Sequence, residues 1–536
     1  MSQRQPKTNY WQDAPMPRDQ IVLFEQTLQS RIRHDHPVRI LDEILDRLDW
    51  NPWEAEYHGS LGQPPIHPSV LCKVLLFALI RRIRSSRQIE YNVRHSVDFI
   101  WLSSGRTIDH VTLSNFRRKH QDQLKGIYRQ LVQTAIDMGV AKLAELCIDG
   151  SRVLADASRS KRWTQANLAK VIEQLDQEIQ TALGEMELID QADDLLDDGQ
   201  PSDKLPAPIA DLKERREQLD RIMDKLKEMD AARQGKGKDR SKNAAQIPKT
   251  DTDARVLPNK EGGYAPNYTP MAVTETENGF IVGADVVVGN VEHTMLLPMV
   301  EQIIADYGEE VETVMGDGAY SAGENLRGCE AKELELLSPL SDPAAENNPA
   351  VRSDPEQPVA AEKIDQLPIM PQTKCFDKSA FVYSEEEDCY YCPAGKKLPR
   401  SGSETKQRGG TPVLQLHYRC SDCAGCVLAS KCKVNPTSKK GRKVSHDEYE
   451  PERRHHRVRM KDEEVQARYR RRSHFGETPF AVLKAAMSLR RFLLRGHEGV
   501  RTEWLWGCTA FNLKKLMSLL ETLRLAEAES SRLATN

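Results

Sequence analysis

Apolar residues recur at helical spacing through Leu71, Val74, Leu75, Ala78 and Leu79, and the stretch from 65 to about 139 keeps that rhythm. Arg81, Arg82, Arg84 and Arg87 follow the first apolar run. The pattern predicts a compact, arginine-rich, all-α domain over residues 1–140. Within it, residues 108–120 (IDHVTLSNFRRKH) predict a short turn feeding a helix, capped by Asp109 or Thr112 and ending in Arg117, Arg118 and Lys119. A helix-turn-helix has this form, and so do many capped surface helices. Trp101, Arg106 and Phe116 sit at helical spacing, where aromatic residues usually pack a core; no role is assigned to them.

The rhythm changes after residue 140. Residues 145–149 (ELCID) form a short apolar run ending in Asp-Gly, the mark of a buried strand stopping at a turn. Residues 152–155 are expected to pair with it as a hairpin, which would set Asp156 beside Asp149. Leu168, Ile172, Leu175, Ile179 and Ala182 keep a heptad rhythm, and Leu212, Leu219, Met223 and Leu226 keep another. Asp, Gly and Pro lie between, so an antiparallel helical hairpin is expected, inserted over 163–250 and closing in a lysine-rich linker from about 235. Strands follow at 268–275 and 280–288, then a helix at 294–305. A further strand at 311–315 runs into Gly316-Asp317-Gly318-Ala319-Tyr320. Two strands thus deliver an aspartate at their ends. Residues 339–362, rich in Pro, Asp, Glu and Ala without periodicity, are expected to be a flexible excursion. Helices close the chain through Trp504, Trp506, Phe511 and Leu513.

At 536 residues the chain exceeds one ordinary core, and 39% hydrophobic with 29% charged residues describes a soluble globular protein. The opening residues carry no apolar core of a secretory signal. The longest apolar stretch, 70–80, contains Lys73 and falls short of the roughly 20 residues that span a bilayer. A cytoplasmic location is expected. The net charge of −4 hides segregation. Between 433 and 472 stand Lys433, Lys439, Lys440, Arg442, Lys443, Arg453, Arg454, Arg457, Arg459, Arg470, Arg471 and Arg472, placed where a polyanion's phosphates would feel them.

Six of eleven cysteines crowd one region as Cys389-x2-Cys392 and Cys420-x2-Cys423-x2-Cys426-x5-Cys432. Paired thiolates two residues apart can chelate a tetrahedral zinc, so a zinc-ribbon-like insertion is expected. Four of the six would close one site. Cys389 and Cys392 with two of the second group are the preferred set, Cys375 and His417 standing outside it. Reduced cysteines without metal are the alternative.

Phosphoryl transfer in a polynucleotide needs a nucleophilic oxygen activated and a leaving oxygen stabilised, which two divalent ions about 4 Å apart accomplish. Such hard cations take oxygen ligands, so carboxylates on converging rigid elements are the side chains to seek. Asp149 and Asp317 end strands, and Glu477 opens a helix after the basic segment. Each alone has an ordinary explanation: a turn aspartate, or a glutamate at a helix start. Their order and placement together favour chemistry. Asp156, Asp285 and Glu324 are rival carboxylates, with Asp156 read as structural.

The series Cys147-Ile-Asp149-Gly, Met315-Gly-Asp317-Gly-Ala-Tyr320 and Phe475-Gly-Glu477-Thr-Pro-Phe-Ala-Val-Leu-Lys484 resembles the DDE insertion-sequence transposases, more narrowly the 1182-type group of the insertion-sequence 4/5-like superfamily. The resemblance runs from about residue 21 to 520. It implies an α/β fold: a ribonuclease-H-like core over 141–162 and 251–338, interrupted by the hairpin insertion and by the Cys-rich insertion at 339–465. Core helices carrying Glu477 would follow at 466–525. It implies catalytic and metal-holding roles for Asp149, Asp317 and Glu477 with two Mg²⁺ or Mn²⁺, and a structural Zn²⁺. The superfamily's Tyr, Arg, Glu and Lys signature falls on Tyr469, Arg472, Glu477 and Lys484, with Ser473 where the Arg is usual. Lys484, Arg472, Arg471, Arg117, Arg118 and Lys119 are the expected DNA-binding residues. The implied partner is double-stranded DNA, transposon ends and target, bound by a homodimer. An inactive DNA-binding descendant and a two-metal nuclease that does not join strands are the alternatives.

Overall fold

The computed structural model describes residues 27–57, 65–193, 207–233, 244–259, 262–340, 348–408, 411–438 and 440–534. Lys439, most of the 235–249 linker and residues 341–347 of the expected excursion lie outside them. The chain divides into two compact units: residues up to Arg117 with Met517 onward, and Arg118 to Leu516. Among the described residues no helix is long and apolar enough to cross a membrane.

The first unit holds helices α1 (Pro37–Asp46), α2 (Asn51–Glu54), α3 (Pro68–Ile80), α4 (Ser86–His95), α5 (Val97–Leu102) and α6 (His110–Arg118). Helix α3 is apolar on every side and is buried accordingly. Its one charged residue, Lys73, is 7% exposed and reaches Asp42 at 2.6 Å and Asp46 at 2.5 Å, both on α1. A buried ammonium needs such partners. Asp109 is the cap of α6: its Oδ1 accepts from the amides of Val111 and Thr112, both at 2.8 Å. The structure corrects one expectation at the end of this helix. Arg117 is only 9% exposed and donates to the Arg84 carbonyl at 2.7 Å, which makes it a packing residue instead of a DNA contact. Arg118 and Lys119 are exposed.

In the second unit, α7 (Gln121–Asp137) packs on the sheet, where the Tyr128 hydroxyl donates to the Ile281 carbonyl at 2.6 Å. The strands are β1 (Glu145–Gly150), β2 (Val153–Leu154), β3 (Arg162–Trp163), β4 (Ile247–Pro248), β5 (Arg255–Pro258), β6 (Tyr264–Glu275), β7 (Ile281–Val287), β8 (Thr313–Met315) and β9 (Glu335–Leu337). A seven-stranded mixed sheet follows the path β7-β6-β1-β8-β9, with β2 and β5 also on β6. Strand β6 is antiparallel to β1 and β7, whereas β8 and β9 run parallel to β1. Helices α10 (Leu296–Tyr307) and α11 (Gly323–Glu330) make the crossovers.

The expected hairpin of β1 and β2 does not form. Both pair with β6, Asp149 opposite Ala272 and Val153 opposite Tyr268, so they run in line. Ser151 and Ala155 keep the chain on that strand by donating to Pro270 and Pro266 carbonyls, each at 3.0 Å. Asp156 is therefore roughly 20 Å further along the strand direction from Asp149, ion-paired with Arg495 at 2.7 Å.

Helices α8 (Gln165–Asp193) and α9 (Ala207–Arg233) form the antiparallel hairpin, pairing Gln165 with Asp230 and Asp176 with Arg216 at its two levels. Leu168, Leu175, Ile179, Leu219 and Leu226 fill its seam.

Strands β10 (Val382–Ser384), β11 (Cys389–Tyr391), β12 (Lys397–Arg408), β13 (Thr411–Arg419) and β14 (Lys443–Asp447) form an antiparallel meander, with the one-turn helix α12 (Ala429–Cys432) beside it. The described part of the expected excursion is packed here: Ala350 and Val359, followed by Leu367, are buried in the meander's core. Arg352 replaces the missing secondary structure by donating to the carbonyls of Ala350, Pro355, Gln357 and Cys392. Much of the basic segment is likewise internal. Arg442 donates to the Cys432 and Phe376 carbonyls, Arg453 pairs with Asp447, and Arg454 stacks 3.8 Å from the Tyr383 ring. Lys440, Lys443, Arg470 and Arg471 are exposed.

The chain then returns through α13 (Glu450–Arg459), α14 (Glu463–Arg470), α15 (Arg472–Ala481), a π-helical turn (Val482–Ala486) and α16 (His497–Ala534), which buries Trp504, Trp506, Phe511 and Leu513.

Candidate active site

Alternation along β1 puts Glu145, Cys147 and Asp149 on one face, and the same parity sets Thr313, Met315 and Asp317 beside them. Cys147, Met315 and Leu337 form an apolar floor on that face, covered by Met460, Val465, Tyr469 and Phe475. Arg468 fixes the register of this cover. Its guanidinium reaches Glu145 at 3.0 Å, Thr313 Oγ1 at 2.8 Å and Glu335 at 2.8 Å, the first residues of β1, β8 and β9. Four residues of strand from Glu145 to Asp149 span about 13 Å, and nine residues of helix from Arg468 to Glu477 span about the same. The clamp at one end of the strands thus delivers Glu477 to the other.

Glycines permit the close approach. A Cβ on Gly476 would lie 3.2 Å from Asp149 Oδ2, and one on Gly316 would lie 2.6 Å from the Tyr320 ring. Asp317 is held by its own turn: Oδ1 accepts from the Ala319 amide at 2.9 Å, and its carbonyl accepts from Tyr320 N at 3.0 Å and Ser338 Oγ at 2.5 Å.

Arg472 stands between two of the acids, 3.5 Å from Asp149 Oδ2 and 4.0 Å from Glu477 Oε1. Asp149 and Arg472 are 16% and 15% exposed, whereas Glu477 is 69% exposed. Burial pushes the Asp149 carboxyl up to about 6; the Gly150 amide and Arg472 oppose this, and the charges of Asp317 and Glu477 add to it. Among the described residues no three or more His, Cys, Asp or Glu side chains are gathered closely enough to hold an ion as they stand. The rivals Asp285 and Glu324 are not drawn in: Asp285 pairs with Arg501 at 2.8 Å, and Glu324 lies near Tyr449.

The family profile described as the transposase DDE domain matches residues 391–517, which include Arg472, Glu477 and Lys484 but neither aspartate. A second profile, the transposase domain DUF772, matches residues 26–119. The chain is a DNA transposase of the DDE kind. Its chemistry is therefore phosphoryl transfer on DNA. No curated protein matches it. A cryo-EM structure of the piggyBac transposase synaptic complex with hairpin DNA is 11% identical, covering 91% of this chain and 75% of that one at a TM-score of 0.29. A Mos1 transposase paired-end complex with left transposon end is 9% identical, covering 55% and 66% at a TM-score of 0.14. Scores so low carry no argument about this transposase.

Two residues of the transposase's cleft escaped the sequence reading. Glu292, in the 3₁₀ turn Glu292–Met295 before α10, places its carboxylate against Gly150, where a Cβ would lie 3.1 Å from Oε2. Tyr320 is fully buried, its hydroxyl without a hydrogen-bond partner and near Asp149, Glu292 and Asp317. Such an unsatisfied hydroxyl costs about 1–3 kcal/mol. Periodicity could not reveal Glu292, which sits in an irregular turn; Tyr320 was visible only as part of the Gly-Asp-Gly-Ala-Tyr run.

Of the expected DNA contacts, Lys484 sits on the π-helical turn after Pro479 and donates to Ser151 Oγ at 2.6 Å and the Arg152 carbonyl at 2.8 Å, just past Asp149. Arg471 is half-exposed, donating to the Thr276 carbonyl at 2.8 Å.

The cysteines separate into two sets. Cys392, Cys420, Cys423, Cys426 and Cys432 line one cavity of about 20 Å³. Cys389 lies on the opposite face of its strand, its thiol 3.4 Å from Glu387, so it does not join them. Amides already point at two sulfurs: Lys396 N at Cys392, 3.3 Å, and Arg442 N at Cys423, 3.5 Å. Burial pushes the thiols of Cys420 and Cys432 up to about 12, with neighbouring thiols adding to it. Cys375 is buried elsewhere, and His417 bonds to Ser445 at 2.8 Å.

The raised Asp149 pKa has a stability consequence. Its unfolded value is about 3.9, so between that pH and about 6 the folded chain binds the extra proton. Stability from this group is thus greatest below pH 4 and is lost as pH rises through 6. The metal-free Asp149→Asn protein is expected to be on the order of 2 kcal/mol more stable than wild type at pH 7.5, with the gap closing toward pH 4. Urea titrations of both proteins across that range check the sign.

Proposed function

We propose that this transposase cleaves DNA at the ends of an insertion sequence and joins the freed strand to target DNA, using two divalent ions held by Asp149, Asp317 and Glu477. The reading is carried by one observation: Arg472 lies 3.5 Å from Asp149 and 4.0 Å from Glu477, and Asp317 follows the end of the parallel strand paired with β1. The donor set is all hard oxygen, and the buried, unpartnered Tyr320 hydroxyl leaves bonding capacity in the cleft, so the residues fit Mg²⁺ or Mn²⁺. When bound, such ions supply an activated water or 3′-hydroxyl and charge neutralisation at the leaving oxygen. Asp149 and Asp317 orient the site from rigid strand ends. Glu477, exposed on its helix, closes the third side. Arg472 balances charge between Asp149 and Glu477 and is placed to meet a phosphate there. Lys484, beside Ser151, and exposed Arg471 extend that contact, with Arg118 and Lys119, at the end of α6, as further phosphate contacts. The sheet order, one strand antiparallel beside β1 and two parallel beyond it, supports a ribonuclease-H-like core.

In the β-meander, Cys392, Cys420 and Cys423 with Cys426 or Cys432 are the proposed zinc ligands, supported by their shared cavity and the amide-to-sulfur bonds. A cytoplasmic homodimer pairing two transposon ends completes the proposal.

The test is incubation of the full chain with a labelled terminal inverted repeat, target plasmid and Mg²⁺ or Mn²⁺. Joined product is expected. Cleavage without joining would replace the reading by a nuclease, and binding without cleavage by an inactive descendant.

A further inference from the structure

We propose that Glu292 is a fourth metal-holding carboxylate of the cleft and that the Tyr320 hydroxyl is its positioning partner, a proposal that rests on the metal-bearing reading of Asp149, Asp317 and Glu477. The residue lies outside the three-carboxylate pattern, and geometry alone brings it in. Its carboxylate packs over Gly150, the neighbour of Asp149, so closely that a Cβ there would lie 3.1 Å from Oε2. Among the described residues the Glu292 carboxylate makes no hydrogen bond or ion pair.

That isolation is unusual in this protein. Glu275, more deeply buried, accepts from the amides of Glu277, Asn278 and Phe280. Glu450 has Lys378 at 2.7 Å, and Glu503 accepts from the amides of Leu493 and Leu494. Arg152 acts on the charge of Glu292, while its guanidinium bonds to the Pro258 carbonyl and to Asn290 Oδ1. Burial raises the Glu292 pKa, the charge of Asp317 adds to the rise, Arg152 opposes it, and Asp149 adds a smaller push upward. A half-buried carboxylate facing two others is tolerable when a cation enters among them. An anion would worsen the same repulsion, which excludes a phosphate as the group seated at this spot.

Tyr320 is the second, independent sign. It is wholly buried, its ring lies on Gly316, and its hydroxyl has no partner while facing Asp149, Glu292 and Asp317. A hydroxyl so placed can donate to a carboxylate oxygen of the cleft or to water held there, which would fix the Glu292 carboxylate once the charges are neutralised.

The experiment measures Mn²⁺ binding to the full chain by calorimetry and electron paramagnetic resonance, next to the Mn²⁺ concentration for half-maximal cleavage of a labelled end. Glu292→Gln is expected to weaken Mn²⁺ binding by roughly 10-fold or more, to raise the half-maximal Mn²⁺ in step, and to recover cleavage at saturating Mn²⁺. Its metal-free melting temperature should rise, because a repelling charge is gone; a carboxylate with a merely structural role would lower it. Tyr320→Phe should weaken Mn²⁺ binding less than Glu292→Gln does. Glu292→Ala serves as a second variant should the amide misfold. Unchanged Mn²⁺ affinity in both Glu292 variants, with binding abolished in Asp149→Asn, would overturn this proposal alone. Unchanged affinity in Asp149→Asn as well would overturn the metal-bearing cleft itself.

Discussion

Replacing Asp149, Asp317 or Glu477 singly by its amide is expected to lower both strand cleavage and strand transfer by on the order of 10³-fold, leaving binding to the terminal repeat within about threefold. The reasoning is electrostatic. Each amide keeps the shape of the acid, so the fold and the proposed DNA contacts persist, while the charge proposed to hold a divalent ion is removed. The three effects should not add, since residues that act as a unit fail together. Asp149 and Glu477 also share Arg472, at 3.5 and 4.0 Å, so each single replacement removes one of its acidic partners. Gel assays of nicking and joining, with filter binding in parallel, read both halves of the expectation. Full activity in any one of the three variants sinks the assignment for that residue.

The second large effect concerns the β-meander. A strong chelator is expected to release zinc and unfold the region around residues 348–447, because a structural zinc contributes on the order of 10 kcal/mol to a small domain. Cys420→Ser and Cys423→Ser should do the same, and Cys389→Ser should not. That contrast follows from the strand: Cys392 faces the shared cavity, while the Cys389 thiol points the other way to Glu387. Metal analysis and hydrogen exchange of these variants check it. Protection of the meander that survives complete metal removal would show that its core, built around Phe376, Tyr390, Leu398 and Tyr418, suffices.

Local pattern was enough where one residue type serves one purpose along a single element. The heptads of α8 and α9 predict a hairpin because a two-helix seam has a fixed period. The runs ending at Asp149 and Asp317 predict strands because buried parallel strands are short and apolar. Asp109 predicts its own helix cap. Expectations failed where a residue's partner lies far away in the chain. The segment after Gly150 pairs with β6 in place of β1, a choice made by residues 266–270. Arg117, Arg442, Arg453 and Arg454 read as a polyanion's contacts, yet carbonyls, a carboxylate and an aromatic ring in the interior claim them. Charge in a sequence records only that a cation is present; what it neutralises is a matter of three-dimensional neighbours.

By itself the sequence determined the elements and the chemical character of the candidate site: helices and strands from period, hard-oxygen donors at strand ends, a thiol cluster from spacing. Tertiary structure alone decided which of those groups meet. It set Glu292 and Tyr320 beside the aspartates, turned Cys389 away from its neighbours and put Arg472 between Asp149 and Glu477. The physical reason is range: backbone periodicity acts over a few residues, whereas the burial and charge that make a carboxylate reactive are summed over every element packed around it.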